Sequence, residues 1–207
     1  MREKEVKMPN WCSTHLTITG DHDQLQRLNQ ELDLAEKIPS NTDFRKGWLG
    51  NLLLHTGMSN DAVCYGEIHC RGEITYRDYG EEEGEITIDT ETAWGPCLEV
   101  FTRFLDHFNL DKLEVIYTAE ESGQDLYWTN DPSEAGTWIF DSWEPEKMPE
   151  PFAGMSYEFL PEEEMNKMLS DALGETGETK DLAGKFMYEY EDCSIHVYEF
   201  CPIEDLD

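Results

Sequence analysis

Basic residues are scarce in this chain. It holds 15 Lys and Arg against 46 Asp and Glu in 207 residues, a formal net charge of −31. That shortage excludes a basic face for binding nucleic acid and excludes docking on anionic lipid. Long apolar runs are lacking as well, and none nears the roughly 18 residues of a membrane-spanning helix. Met1–Lys7 has no apolar stretch of the signal-peptide kind, so a soluble cytoplasmic protein is expected. There is no Cys-x2-Cys pair, no His-Glu-x-x-His, no calcium-loop pattern and no glycine-rich phosphate loop. No cofactor or metal is therefore expected.

Aromatic residues are plentiful. Six Trp, nine Tyr and nine Phe can supply a core, which argues against wholesale disorder despite the charge. The six cysteines (Cys12, Cys64, Cys70, Cys97, Cys193, Cys201) read as free, mostly buried thiols, because the chain is too long and too aromatic for a disulfide-stapled mini-domain. The acidity is uneven. Residues 1–65 carry 9 acids and 7 bases, whereas residues 66–207 carry 37 acids and 8 bases, a net of −29.

Local patterns outline an α+β chain. Residues 1–9 read as a leader. His15–Gly20 alternates apolar and polar residues as a half-buried strand does, and Asp21 or Asp23 caps a helix over about 22–35 carrying Leu25, Leu28 and Leu32. Leu49 with Leu52–Leu54 suggests a short helix or packed loop. Residues 65–78 and 85–90 read as two antiparallel strands, with Ile68, Cys70, Ile74 and Tyr76 on one face of the first. Gly95-Pro96 opens an amphipathic helix through Phe108, followed by a strand from Leu113 and a hairpin over 125–129 and 136–141.

The order β-α-β-β-α-β predicts a ferredoxin-like split βαβ domain over 10–145, an antiparallel sheet with two helices on one face. Pro145, Pro149 and Pro151 mark a break. Residues 146–207 then form an acidic C-terminal α/β-hairpin extension, with a helix over about 161–173 and strands over 185–190 and 194–200.

Two stretches resemble a known family. Met8-Pro9-Asn10-Trp11-Cys12-Ser13-Thr14-His15-Leu16-Thr17-Ile18-Thr19-Gly20 resembles the start of the YubB-type proteins, a ferredoxin-like family of unknown function from phages and plasmids. Asp89-Thr90-Glu91-Thr92-Ala93-Trp94-Gly95-Pro96 is similar to that family's second signature, a strand running through Thr-Ala-Trp into a helix. Gly50–Leu54, Cys70-Arg71-Gly72 and Trp128–Pro132 look like a branch from gut mobile elements. The Trp-Gly-Thr-Lys-Trp motif of many members is missing, so no role tied to it carries over. The resemblance implies the fold and a mobile-element setting in a bacterial host cell. It implies no catalytic residues. Read physically, Trp11 and Trp94 are large apolar plugs expected to seal the helix-covered face.

Enzyme chemistry finds little support in these residues. Cys64, His69 and Cys70 lie close together, but adjacent strand residues point to opposite faces, so packing thiols are the simpler reading. With 46 carboxylates no acid/base pair is diagnostic. The expectation is no catalytic residue. The acidic clusters remain: Glu81, Glu82, Glu83, Glu85, Asp89 and Glu91 on the central hairpin, Glu120, Glu121 and Asp125 after the next strand, and Glu189, Glu191 and Asp192 near the end. They are candidate contacts for a basic host nucleic-acid-binding protein such as a CRISPR effector nuclease or a restriction enzyme. The alternatives are a solvated acidic face on a housekeeping or assembly protein, and a metal-dependent hydrolase.

Overall fold

The computed structural model describes residues 10–39, 47–66, 68–82 and 84–205. Two compact units divide the chain, the first running to Leu126 and resuming at Cys201, the second spanning Tyr127–Phe200. The expected leader 1–9 lies outside the described residues. The proline-marked break falls inside the second unit, so proline punctuation here marks a turn and not the division between units.

The first unit begins with β1 (Trp11–Gly20), α1 (His22–Ala35), α2 (Gly50–His55) and α3 (Asn60–Tyr65). It continues with β2 (Gly72–Gly80), β3 (Glu85–Ala93), α4 (Leu98–His107) and β4 (Leu113–Glu121). The strands stand in the order β2-β3-β1-β4, and each neighbouring pair is antiparallel. In β1, Cys12, Thr14, Leu16 and Ile18 are buried while Trp11, Ser13 and His15 are exposed, the period-2 pattern of a sheet covered on one face. α1 packs on β1 and β3, and α2 packs on α1 and α4. α1 starts where Asp21 Oδ1 accepts the Gln24 N–H at 3.2 Å, and it buries Leu25, Leu28 and Leu32. Arg77 of β2 donates to the Asn29 carbonyl at 3.3 Å and to Asp33, tying the edge strand to that helix.

Two expectations change in this unit. Residues 65, 66 and 68–71 are not strand, because Ser59 caps the short helix α3 and β2 starts only at Gly72. Ile74 and Tyr76 do not share a face either. A β-bulge between them sets Ile74 opposite buried Thr90 and Tyr76 opposite Asp89.

The second unit contains most of β5 (Leu126–Thr129), then β6 (Trp138–Ser142), β7 (Tyr157–Leu160), α5 (Glu162–Leu173), α6 (Thr179–Glu189), β8 (Cys193–Val197) and β9 (Glu199–Phe200). β6 lies between β7 and β8, antiparallel to both. One face of that sheet builds a core with α5 and α6, in which Phe140, Phe152, Met165, Leu169 and Phe186 are fully buried. The helix expected near 161–173 is α5, with Pro161 at its N-cap and Gly174 in the left-handed conformation (φ 66°) at its C-cap.

Other expectations fail here. Residues 185–189 are the end of helix α6 and Tyr190 is its C-cap, because Leu182, Ala183 and Phe186 bury one helical stripe. No hairpin joins 125–129 to 136–141: β5 pairs with β9 in parallel, while β6 pairs with β7 and β8. Nor is there a terminal hairpin, since β8 is bonded to β6. The chain is α+β. The parallel pair β5 and β9 departs from the wholly antiparallel pairing expected. Among the described residues the first unit carries four α-helices: α1 and α4, the short helix expected near Leu52–Leu54, and α3, which was not expected. Among the described residues no helix is long and apolar enough to cross a membrane.

Candidate functional site

The uncovered face of β2-β3-β1-β4 is organised in rows by the strand register. Glu73, Glu91, Ser13 and Glu120 stand side by side in the first row. Tyr76, Asp89, His15 and Thr118 make the second, and Asp78, Thr87, Thr17 and Ile116 the third. Gly80, Glu85, Thr19 and Glu114 make the fourth. Seven carboxylates therefore share a face with one titratable base, His15, and no Lys or Arg occupies any of these positions. Neighbouring strands are about 4.8 Å apart and same-face residues roughly 6.8 Å apart, so Glu73 and Glu91 are adjacent across strands and Glu91 and Asp89 along β3, while the other carboxylates stand on diagonals or beyond a neutral residue. Glu73 directly opposes Glu91, a like-charge pair that destabilises a sheet. His15 Nδ1 lies 2.6 Å from Asp89 Oδ1, with both side chains about half exposed. Such an exposed pair adds at most about 1 kcal/mol.

The sequence-derived candidates divide between this face and other places. Glu85, Asp89, Glu91 and Glu120 stand on it. Glu81 and Glu82 are exposed in the turn that joins β2 to β3, and Glu83 lies outside the described residues. Glu121 does not belong to the face. One residue beyond Glu120, it points to the covered side, is only 3% exposed, and accepts the Gly123 N–H at 2.8 Å through Oε1. Asp125 is exposed in a left-handed turn (φ 58°) beyond the end of β4, outside the rows.

Glu189, Glu191 and Asp192 belong to the second unit. Asp192 is engaged there, accepting from Trp143 Nε1 at 3.2 Å and Lys147 Nζ at 3.4 Å. Glu73, Asp78 and Glu114 were missed. Strict alternation from Leu113 would have found Glu114. Asp78 was hidden by the bulge, which shifts the parity of β2 after Ile74.

Both tryptophans depart from expectation. Trp11 is 46% exposed and Trp94 is 47% exposed, so neither seals the core. Trp11 has the parity of Ser13 and His15, which puts it on the uncovered face next to the first acidic row. Trp94 adopts φ 68°, an uncommon conformation for a bulky residue, just after β3. Its N–H donates to the Asn10 carbonyl at 2.9 Å, and the neighbouring Ala93 N–H donates to the Arg71 carbonyl at 2.9 Å. The Arg71 guanidinium carbon stands 5.0 Å from the Trp94 ring centre, within cation–π range.

The covered side of the same strand ends is thiol-rich. Cys12, Cys70 and Cys97 are buried free thiols. Burial pushes Cys12 and Cys70 up to about 11 and Cys97 up to about 12. Cys193 in the second unit is likewise raised to about 11 by burial. Among the described residues no group of three or more His, Cys, Asp or Glu could hold a metal ion.

These thiols keep their protons in the folded state at pH values where the unfolded chain has lost them. Their contribution to stability is complete below about pH 9 and is lost as pH rises toward 11–12. Thiol-specific labelling at pH 8 is expected to modify exposed Cys64 rapidly and Cys12, Cys70, Cys97 and Cys193 only on unfolding. Rapid native-state labelling of Cys97 would contradict this.

Comparison of the chain with protein families, with curated proteins and with solved structures finds no match.

Proposed function

We propose that the chain is an acidic, non-catalytic anti-defence protein of a phage or mobile element. Its partner is the basic nucleic-acid-binding surface of a host nuclease in the bacterial cytoplasm, as in anti-CRISPR or antirestriction proteins. The observation that carries this reading is the row arrangement: Glu73, Asp78, Glu85, Asp89, Glu91, Glu114 and Glu120 on one sheet face without a Lys or Arg among them. Duplex DNA carries one negative charge per about 1.7 Å of axis. Seven carboxylates whose nearest neighbours stand roughly 5–10 Å apart offer a strong negative field, fixed on the sheet. Against partner Arg and Lys they form charge-assisted hydrogen bonds, and the field steers encounter. The mobile-element setting rests on the resemblance of residues 8–20 and 89–96 to the YubB-type proteins. The ferredoxin-like reading of the first unit is supported by the strand order β2-β3-β1-β4 and by α1 and α4 following β1 and β3.

Titration of purified CRISPR effector nucleases and restriction enzymes, free of nucleic acid, tests the proposal. Binding is expected at 50 mM NaCl, to weaken at least tenfold by 300 mM as charges are screened, and to be displaced by saturating duplex DNA or guide RNA. Binding that ignores both salt and nucleic acid would sink it.

A further inference from the structure

We infer that Cys64 and Cys70 are an oxidisable pair that a peroxide converts to a disulfide in the folded protein, an inference independent of the acidic face. Cys64 lies in the last turn of α3 and is exposed, whereas Cys70 is buried in the segment leading from that helix to β2. The Cys70 thiol donates to the Val63 carbonyl at 3.6 Å. The peptide unit carrying that carbonyl runs directly into Cys64, and across a trans peptide the oxygen and the next Cα lie on one side, about 2.8 Å apart. The Cys70 sulfur is thus held against the stretch of backbone from which the Cys64 side chain springs, the close approach that a disulfide requires. The two sulfurs also act on one another: burial is the first cause that pushes Cys70 up to about 11, and the charge of the Cys64 thiolate is the second. Gly66 makes the return of the chain possible. A Cβ there would stand 1.9 Å from the Ala62 carbonyl oxygen, so only glycine lets the segment leave α3 so tightly.

The chemistry takes two steps, with hydrogen peroxide as the oxidant. The exposed Cys64 thiolate attacks a peroxide oxygen; an S–O bond forms, the O–O bond breaks, and the departing hydroxide takes up a proton as water. The sulfur is oxidised to a sulfenic acid and the peroxide is reduced. Cys70 then attacks that sulfur, so that an S–S bond forms, the S–O bond breaks, and the hydroxyl leaves as water with the Cys70 proton. Burial shields Cys70 from bulk reagents but not from the neighbouring residue. It also keeps the thiol protonated, which makes the second step the slower one. The product ties the end of α3 to the entry of β2, which starts two residues later at Gly72.

Treatment of the native full chain with hydrogen peroxide at pH 8, followed by unfolding, alkylation and tryptic digestion, tests the pair. The tryptic peptide Gly47–Arg71 contains Cys64 and Cys70 and no other cysteine. After oxidation it is expected to lose two hydrogens and to take up no alkyl group, and cleavage after Glu67 should leave its halves joined. Dithiothreitol should restore both alkylation sites. C70S is expected to leave Cys64 as the sulfenic acid, with dimedone capture at least fivefold above wild type, and C64S to leave Cys70 reduced at the same peroxide dose. The wild-type mass measurement decides the question without either variant. Oxidation of Cys64 to the sulfinic acid, or Cys64–Cys64 cross-links between chains, with Cys70 still open to alkylation after unfolding, would overturn the inference.

Discussion

Replacing Glu85, Asp89, Glu91 and Glu120 together (E85Q, D89N, E91Q, E120Q) is expected to reduce affinity for a basic partner at least a hundredfold while the protein remains fully folded. Interfacial charge pairs measured in other complexes contribute about 1.5 kcal/mol or more each, so losing four exceeds a factor of 100 even with partial compensation. The residual binding should lose most of its salt dependence. Stability should hold or rise by about 1 kcal/mol, because the changes relieve repulsion on the open face, most directly between Glu73 and Glu91. None of the four side chains lies in the core. Asp89→Asn also keeps an oxygen acceptor for His15. Binding measured at 50 and 300 mM NaCl beside a thermal melt separates the two effects. Unchanged affinity in the folded variant would move the contact off this face.

A substitution in the second unit should do the opposite, leaving charge alone and removing stability. Phe152 is fully buried, with ring centres 4.6 Å from Phe140 and 4.7 Å from Phe186. It links the sheet to α6 through the aromatic core of that unit. Phe152→Ala deletes a whole ring from a close-packed setting and is expected to cost about 3–5 kcal/mol. Hydrogen exchange on the intact chain is the appropriate measurement. Amides of β6 and α6 should lose protection by that amount. Protection unchanged within about 1 kcal/mol would mean that the cavity refills by repacking, as Met-containing cores sometimes allow.

Much of the local structure was legible because local signals agreed with one another. α1 follows from Leu25, Leu28 and Leu32 behind the Asp21 cap. α5 follows from Pro161, three glutamates at its positive end and Gly174 beyond. The helix α6 was not legible. Gly184 interrupts its apolar stripe, and Phe186, Tyr188 and Tyr190 alternate in the manner of a strand. Only burial of Leu182, Ala183 and Phe186 against the second-unit core selects the helix. The tryptophans were misread for a related reason. Size and apolarity suggest burial, but parity decides it in a strand, and Trp11 has the parity of His15.

The sequence by itself determined the excess of carboxylates, their concentration after residue 65, and the alternation that sends Glu85, Asp89 and Glu91 to one side of a single strand. Those properties depend on composition and on a local period of two. Tertiary structure alone decided that β1 lies between β3 and β4, that a bulge turns Asp78 outward, and that Trp11 comes to stand beside Glu91 and Glu120. Strand register is a non-local property: it is selected by burying one whole apolar face against α1 and its neighbours, and a shift of one residue would invert every side chain. The acidic residues could be counted along the chain. Their shared face exists only once the strands are paired.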